Sequence, residues 1–201
     1  MILPIVAYGD SVLRRVGDEI TKDYPGLEDI ITNMFDTMHN ALGVGLAAPQ
    51  IGKSIRLFIV DTKPFTVKDE EDDDEMEDEF TPEERVQLEH FRKVFINAKI
   101  MEEEGEEWKY NEGCLSIPKI REDVYRKPKV RIQYYDEHFT FFDETYEGLA
   151  ARVIQHEYDH IEGKLFTDRI SPLRRRLLQG RLSDITKGKI KIAYRMRFPS
   201  K

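Results

Sequence analysis

The sequence predicts an α+β fold, with mixed and antiparallel sheets packed around a central helix that carries a candidate metal site. Three observations predict it. An early segment repeats apolar residues at helical spacing, and short runs rich in β-branched and aromatic residues follow it. A late segment of good helix formers ends in His156-Glu157-Tyr158-Asp159-His160. The 201 residues suffice for one domain with a sizeable core, and 1–201 is read as that domain, without internal repeats.

In chain order, Leu27, Ile30, Ile31, Met34, Met38 and Leu42 recur with helical period, and Gly43 is expected to stop that helix. Ile55 to Val60 and Lys93 to Asn97 read as strands. Glu106 to Tyr110, the strand-like run Leu115 to Ile117, Val124 to Tyr125 and Val130 to Tyr135 supply more. A hairpin turn at Asp136-Glu137-His138 leads into Phe139 to Phe142. Leu149 to His160 reads as the central helix, and a short helix is expected after Pro172. The tail then alternates: Ile190, Ile192, Tyr194, Met196 and Phe198 fall on one face, with Lys189, Lys191, Arg195 and Arg197 on the other. Residues 187–199 are therefore expected to form a basic strand whose apolar face packs on a sheet.

Charge is distributed unevenly. Every residue from Asp69 to Glu79 except Met76 is acidic, so ten of the 39 acidic residues sit in one run. The other 29 face 31 basic residues, and the net charge of −8 thus belongs to one segment. This block, the heart of an insertion over about 66–90, is expected to be disordered and solvated. It lacks the spacing of an EF-hand. Thr81-Pro82-Glu83-Glu84 then offers a cap, a first-turn proline and a glutamate at the third position, which predicts a short helix through about Glu89. No apolar run approaches the roughly twenty residues that span a bilayer. The first residues lack a basic leader region, so a cytoplasmic location is expected.

The chemistry centres on His156 and His160. Four residues apart on a helix, the two imidazoles share a face and can reach one cation, while Glu157 stands beside it to take a proton from water. A surface helix that merely carries two histidines would read the same way. Cys114 is the only cysteine, which excludes an intramolecular disulfide. Alone it reads first as a small buried core residue; beside Gly113 and the strand-like run that follows, it also reads as a third ligand that leaves a position open for water. Gly43-Val44-Gly45-Leu46-Ala47-Ala48-Pro49-Gln50 supplies close-approach backbone and a side-chain amide, yet alone it also fits a turn between helix and strand. His39, His90 and His138 have no partner spacing, and none is expected at a metal.

Together these segments resemble one family, the peptide deformylases. Its three motifs stand in order as Gly43 to Gln50, Glu112-Gly113-Cys114-Leu115-Ser116 and His156 to His160. The flanking Leu3-Pro4-Ile5-Val6, Asp10, Leu13-Arg14, Leu165-Phe166 and Ser171-Pro172-Leu173 are similar too, up to about Arg176. The resemblance implies hydrolysis of N-formylmethionyl peptides to formate and a free amine. It implies Cys114, His156 and His160 as ligands of Fe2+, for which Zn2+, Ni2+ or Co2+ can substitute. Glu157 would be the general base and then the proton donor, with the Gln50 amide and the Leu115 N–H stabilising the oxyanion.

The same resemblance implies a peptide lying extended between the Gly43–Gly45 backbone and the stretch around Tyr110, Glu112 and Gly113. Val44, Leu149 and Val153 match positions that line the methionine pocket. Glu112 and Arg121 match positions expected to form an ion pair or to orient the peptide. Arg152 stands where one branch has an apolar residue, so its stem is expected over the methionine or its head in solvent. The basic tail is expected to touch ribosomal RNA, or else to be an ordinary solvated face; no membrane or DNA partner is expected. A zincin-like metallopeptidase and a noncatalytic metal- or ribosome-binding module are the competing readings.

Overall fold

The computed structural model describes residues 1–66 and 81–199, so the acidic run 69–79 lies outside the described residues. The elements are β1 (Ile5–Val6), α1 (Leu27–Asn40), β2 (Gly45–Ala47), β3 (Leu57–Asp61), α2 (Pro82–His90), β4 (Arg92–Glu104), β5 (Trp108–Cys114), β6 (Ile117–Arg126), β7 (Lys129–Tyr135), β8 (Phe141–Glu147), α3 (Gly148–Ile161), α4 (Pro172–Thr186) and β9 (Met196–Arg197). Strands β2-β3-β4-β7-β8 form an antiparallel sheet in that order. β5 and β6 make a separate antiparallel hairpin, and β1 pairs with β9 in parallel. Mixed sheets around a central helix are what the sequence predicted.

The central position of α3 follows from β3, whose successive side chains are all buried. Leu57 and Ile59 pack with Ile30, Met34 and Met38 of α1. Phe58 and Val60, on the opposite face, pack with Ala151 and Ile154 of α3. The sheet therefore lies between the two helices, and each large apolar side chain so buried contributes about 1.5–3 kcal/mol. A third cluster joins Val6, Leu13, Ile117 and Val124 to Leu178 and Leu182 of α4, which seats the β5–β6 hairpin against the chain's start and its late helix. Among the described residues no helix is long and apolar enough to cross a membrane.

Several boundaries differ from those expected. α1 ends at Asn40, before Gly43, and Leu42 takes a left-handed φ of 55° with 91% of its surface exposed. The Gly43 N–H already closes the helix end on the Met38 carbonyl at 2.9 Å, so Leu42 fills the place that glycine usually takes. Leu115 and Ser116 form a turn instead of a strand, because Cys114 pairs with Ile117 across it. The helix after Pro172 is not short but runs for 15 residues. The tail keeps its predicted alternation of exposure, yet only Met196 and Arg197 pair, since Ile5 and Val6 are the one edge it meets. α2 forms as expected, with the Glu84 N–H on Thr81 Oγ1 at 3.2 Å and the Thr81 N–H on Glu84 Oε2 at 2.9 Å.

Candidate active site

α3 delivers His156, Glu157 and His160 into the interior, and the β5–β6 turn delivers Cys114 beside them. The ligand atoms of Cys114, His156 and His160 all lie within 4.8 Å of one another. Cys114 Sγ is 3.3 Å from His160 Nε2, and the two imidazole rings meet edge to face at 5.3 Å. One thiol and two imidazoles suit a borderline divalent cation. Burial, with the charge on His156, lowers the pKa of His160 to about 3, which keeps it neutral as ligation requires. Burial also opposes a charge on His156, but Cys114 and Glu112 outweigh it and raise its pKa.

Glu112 has partners other than the one expected. Its carboxylate is buried and fully engaged by neighbouring side chains. Oε2 accepts from His156 Nδ1 at 2.9 Å, leaving Nε2 of that ring for the cation. Arg126 grips both oxygens at 2.7 and 2.9 Å, and Arg152 Nη1 reaches Oε1 at 2.9 Å. The expected Glu112–Arg121 pair does not form; Arg121 binds Asn111 Oδ1 at 2.8 Å and its carbonyl at 2.5 Å. Arg152 does not put its head into solvent: it is 2% exposed and stacked 4.4 Å over the Trp108 ring, while still forming part of the wall of the active-site cavity. Arg126 also bonds Asp159 at 2.7 Å, and Arg169 holds Asp159 from the other side at 2.6 and 2.7 Å. The sequence reading missed Arg126, Asp159 and Arg169. A buried basic residue within an alternating strand is the only signal Arg126 gave.

Glu157 is buried, and its Oε2 has no hydrogen-bond partner among the described residues. Burial pushes its pKa up to about 7. Gly45 stands directly opposite, where a Cβ would fall on Glu157 Oε1. Gln50 is fixed by the Ala47 N–H, which donates to its Oε1 at 2.8 Å. Its Nε2 therefore points to Ser116 Oγ at 3.2 Å and Cys114 Sγ at 3.4 Å.

These groups open into a cavity of about 540 Å³. Gly43, Val44 and Gly45 line it on one side, Tyr110, Gly113 and Arg121 on another, and Val153 from α3. Glu112 touches its wall as well, whereas Leu149 does not reach it. Unforeseen lining comes from Leu42, Phe65, Ile192, Ala193 and Tyr194. A larger open hollow of about 960 Å³ near Ile20, Tyr135 and Phe139 shares no residue with this site.

The family model for polypeptide deformylase matches residues 2–176. The chain belongs to the polypeptide deformylase family. It is 56% identical over 200 residues to a peptide deformylase of Christiangramia forsetii, covering 100% of this chain and 97% of the relative. It is 59% identical over 198 residues to one of Flavobacterium johnsoniae, covering 98% and 96%. Among solved structures, a peptide deformylase from Legionella pneumophila superposes with a TM-score of 0.75 at 34% identity, over 94% of this chain and 98% of that one. A Plasmodium falciparum peptide deformylase in complex with an inhibitor gives 0.72 at 30% identity, over 91% and 99%. The activity of a deformylase is removal of the N-formyl group from nascent peptides, a metal-dependent hydrolysis. The Cys114, His156 and His160 cluster is where such a metal fits.

Proposed function

We propose that this chain acts as one deformylase domain in the cytoplasm, with Cys114, His156 and His160 holding ferrous iron, for which zinc, nickel or cobalt can substitute. The observation that carries the reading is the convergence of those three donors beside a buried carboxylate with an unpartnered oxygen. When bound, the cation supplies Lewis acidity, lowering the pKa of water and polarising the formyl carbonyl. Glu157 takes the proton of the attacking water and passes it to the departing amine. The Gln50 Nε2 and the Leu115 N–H stabilise the oxyanion, and the Ala47 bond holds the Gln50 amide in the donating orientation. The peptide lies along the Gly43–Gly45 backbone, with Tyr110, Gly113 and Arg121 across the groove and the methionine side chain toward Val44 and Val153. Glu112 forms part of the same wall, beneath His156.

The test is formate release from a formyl-Met peptide by the anaerobically purified protein, with the Glu157→Gln variant beside it. Unchanged turnover in that variant refutes the role given to Glu157. We also propose that the exposed Lys189, Lys191 and Arg195 contact ribosomal RNA electrostatically. Arg197 contributes less, because its guanidinium lies 3.8 Å from Asp10 and packs beside Gly52. Ribosome binding insensitive to salt and to charge reversal at Arg195 removes that part of the reading.

A further inference from the structure

Leu115 and Ser116 are the two residues of the β5–β6 turn, so neither has a partner in that ladder. Their carbonyls are instead held from outside the hairpin. The Tyr8 N–H donates to the Ser116 carbonyl at 2.9 Å, and the Tyr194 hydroxyl donates to the Leu115 carbonyl at 2.7 Å. The two donors come from opposite ends of the chain, and those ends are tied together. The Ile5 and Ala7 N–H groups each donate at 2.9 Å, to the Arg195 and Arg197 carbonyls, around the β1–β9 pair.

Tyr194 lies beyond residue 176, where the family match stops, yet it lines the active-site cavity with Ile192 and Ala193. Its ring is partly buried against the core shared with α1, so the hydroxyl is presented from a packed support. The Leu115 side chain is confined as well, since a Cβ on Gly43 would come 2.8 Å from its Cδ1. The turn is thus restrained at both carbonyls and at one side chain, and Leu115 itself lines the active-site cavity. A donor aimed at a developing oxyanion is effective only while its direction is fixed.

We propose that Tyr194 is a positioning residue for deformylation: its hydroxyl anchors the Leu115–Ser116 peptide, which restrains the turn and so the adjoining Cys114–Leu115 peptide whose N–H serves the oxyanion. The inference rests on the oxyanion role given to Leu115 under the proposed function. It makes the C-terminal tail a working part of the active site, over and above any docking role.

Tyr194→Phe keeps the ring and removes only the hydroxyl. In the metal-loaded full chain, kcat should fall about tenfold, with KM for a formyl-Met tripeptide changed by less than about twofold. Metal content and Tm should match the unaltered protein. Tyr125→Phe, which removes an exposed hydroxyl on β6 outside the cavity lining, should change none of these. Proton–nitrogen NMR of the zinc-loaded protein supplies a second readout: the Leu115 and Ser116 amide signals should move in Tyr194→Phe. An unchanged kcat, an effect confined to KM, a kcat loss that tracks lost metal, or an unmoved Leu115 signal overturns the proposal. Unaltered protein that releases no formate overturns the deformylase reading itself, a distinct result.

Discussion

Glu112 Oε2 lies 2.9 Å from His156 Nδ1, while two guanidiniums, from Arg126 and Arg152, occupy the remaining lone pairs of the same carboxylate. A residue expected to pair with Arg121 or to orient the peptide also supports a candidate metal ligand. The ring of His156 is oriented by a charge that is itself locked in place.

Replacing that carboxylate by an amide weakens the hold on the ring without emptying its space. Glu112→Gln should lower metal affinity about 10–100-fold, the usual consequence of losing a partner behind a ligand. Competition with a chromophoric chelator measures it, with circular dichroism confirming the fold.

Arg126 joins Glu112 to Asp159, and all three side chains are buried. Arg126→Met leaves two carboxylates facing each other's field without that cation, so a loss of about 3–5 kcal/mol is expected in urea unfolding. A loss below about 1 kcal/mol would mean that Arg152 and Arg169 suffice alone.

Acid should undo the same cluster. Burial opposes ionisation of Glu112, but the bonds from His156 and Arg126 outweigh it and hold its pKa well below the usual 4.5. A depressed folded pKa gives stability that is present above the unfolded value and lost as pH falls toward the folded one. Urea midpoints should therefore decline below about pH 4.5, and the decline should be shallower in Glu112→Gln.

Glu157 sets a different limb. It works as a base only when ionised, so kcat/KM should rise with pH through its pKa. Burial places that value at about 7 before a cation is considered, and a cation beside it pulls the value lower. The limb should lie on the acid side of about pH 7. A profile that falls with rising pH there would contradict the assignment.

Much of the site was legible because its signals are local. The four-residue histidine spacing needs only a helix, and α3 formed over the predicted stretch. The Gly45 requirement was visible as a glycine motif, and the structure supplies its cause in the Glu157 carboxylate. What could not be read is pairing at long range. Nothing near Arg152 in sequence announces Trp108 and Glu112, which lie 44 and 40 residues away and hold its guanidinium out of solvent. The tail alternates as a strand does, but a strand needs an edge to pair with, and only Ile5–Val6 is offered. Alternation therefore forecast which face packs and failed to forecast hydrogen bonding.

The central claim is that these donors hydrolyse a formyl amide. The most direct test incubates anaerobically purified protein of measured metal content with a formyl-Met peptide and quantifies formate alongside free amine. The account predicts equal amounts of both, with intact internal peptide bonds and activity proportional to bound metal. Cleavage inside the peptide without formate, or formate release indifferent to metal, would contradict it.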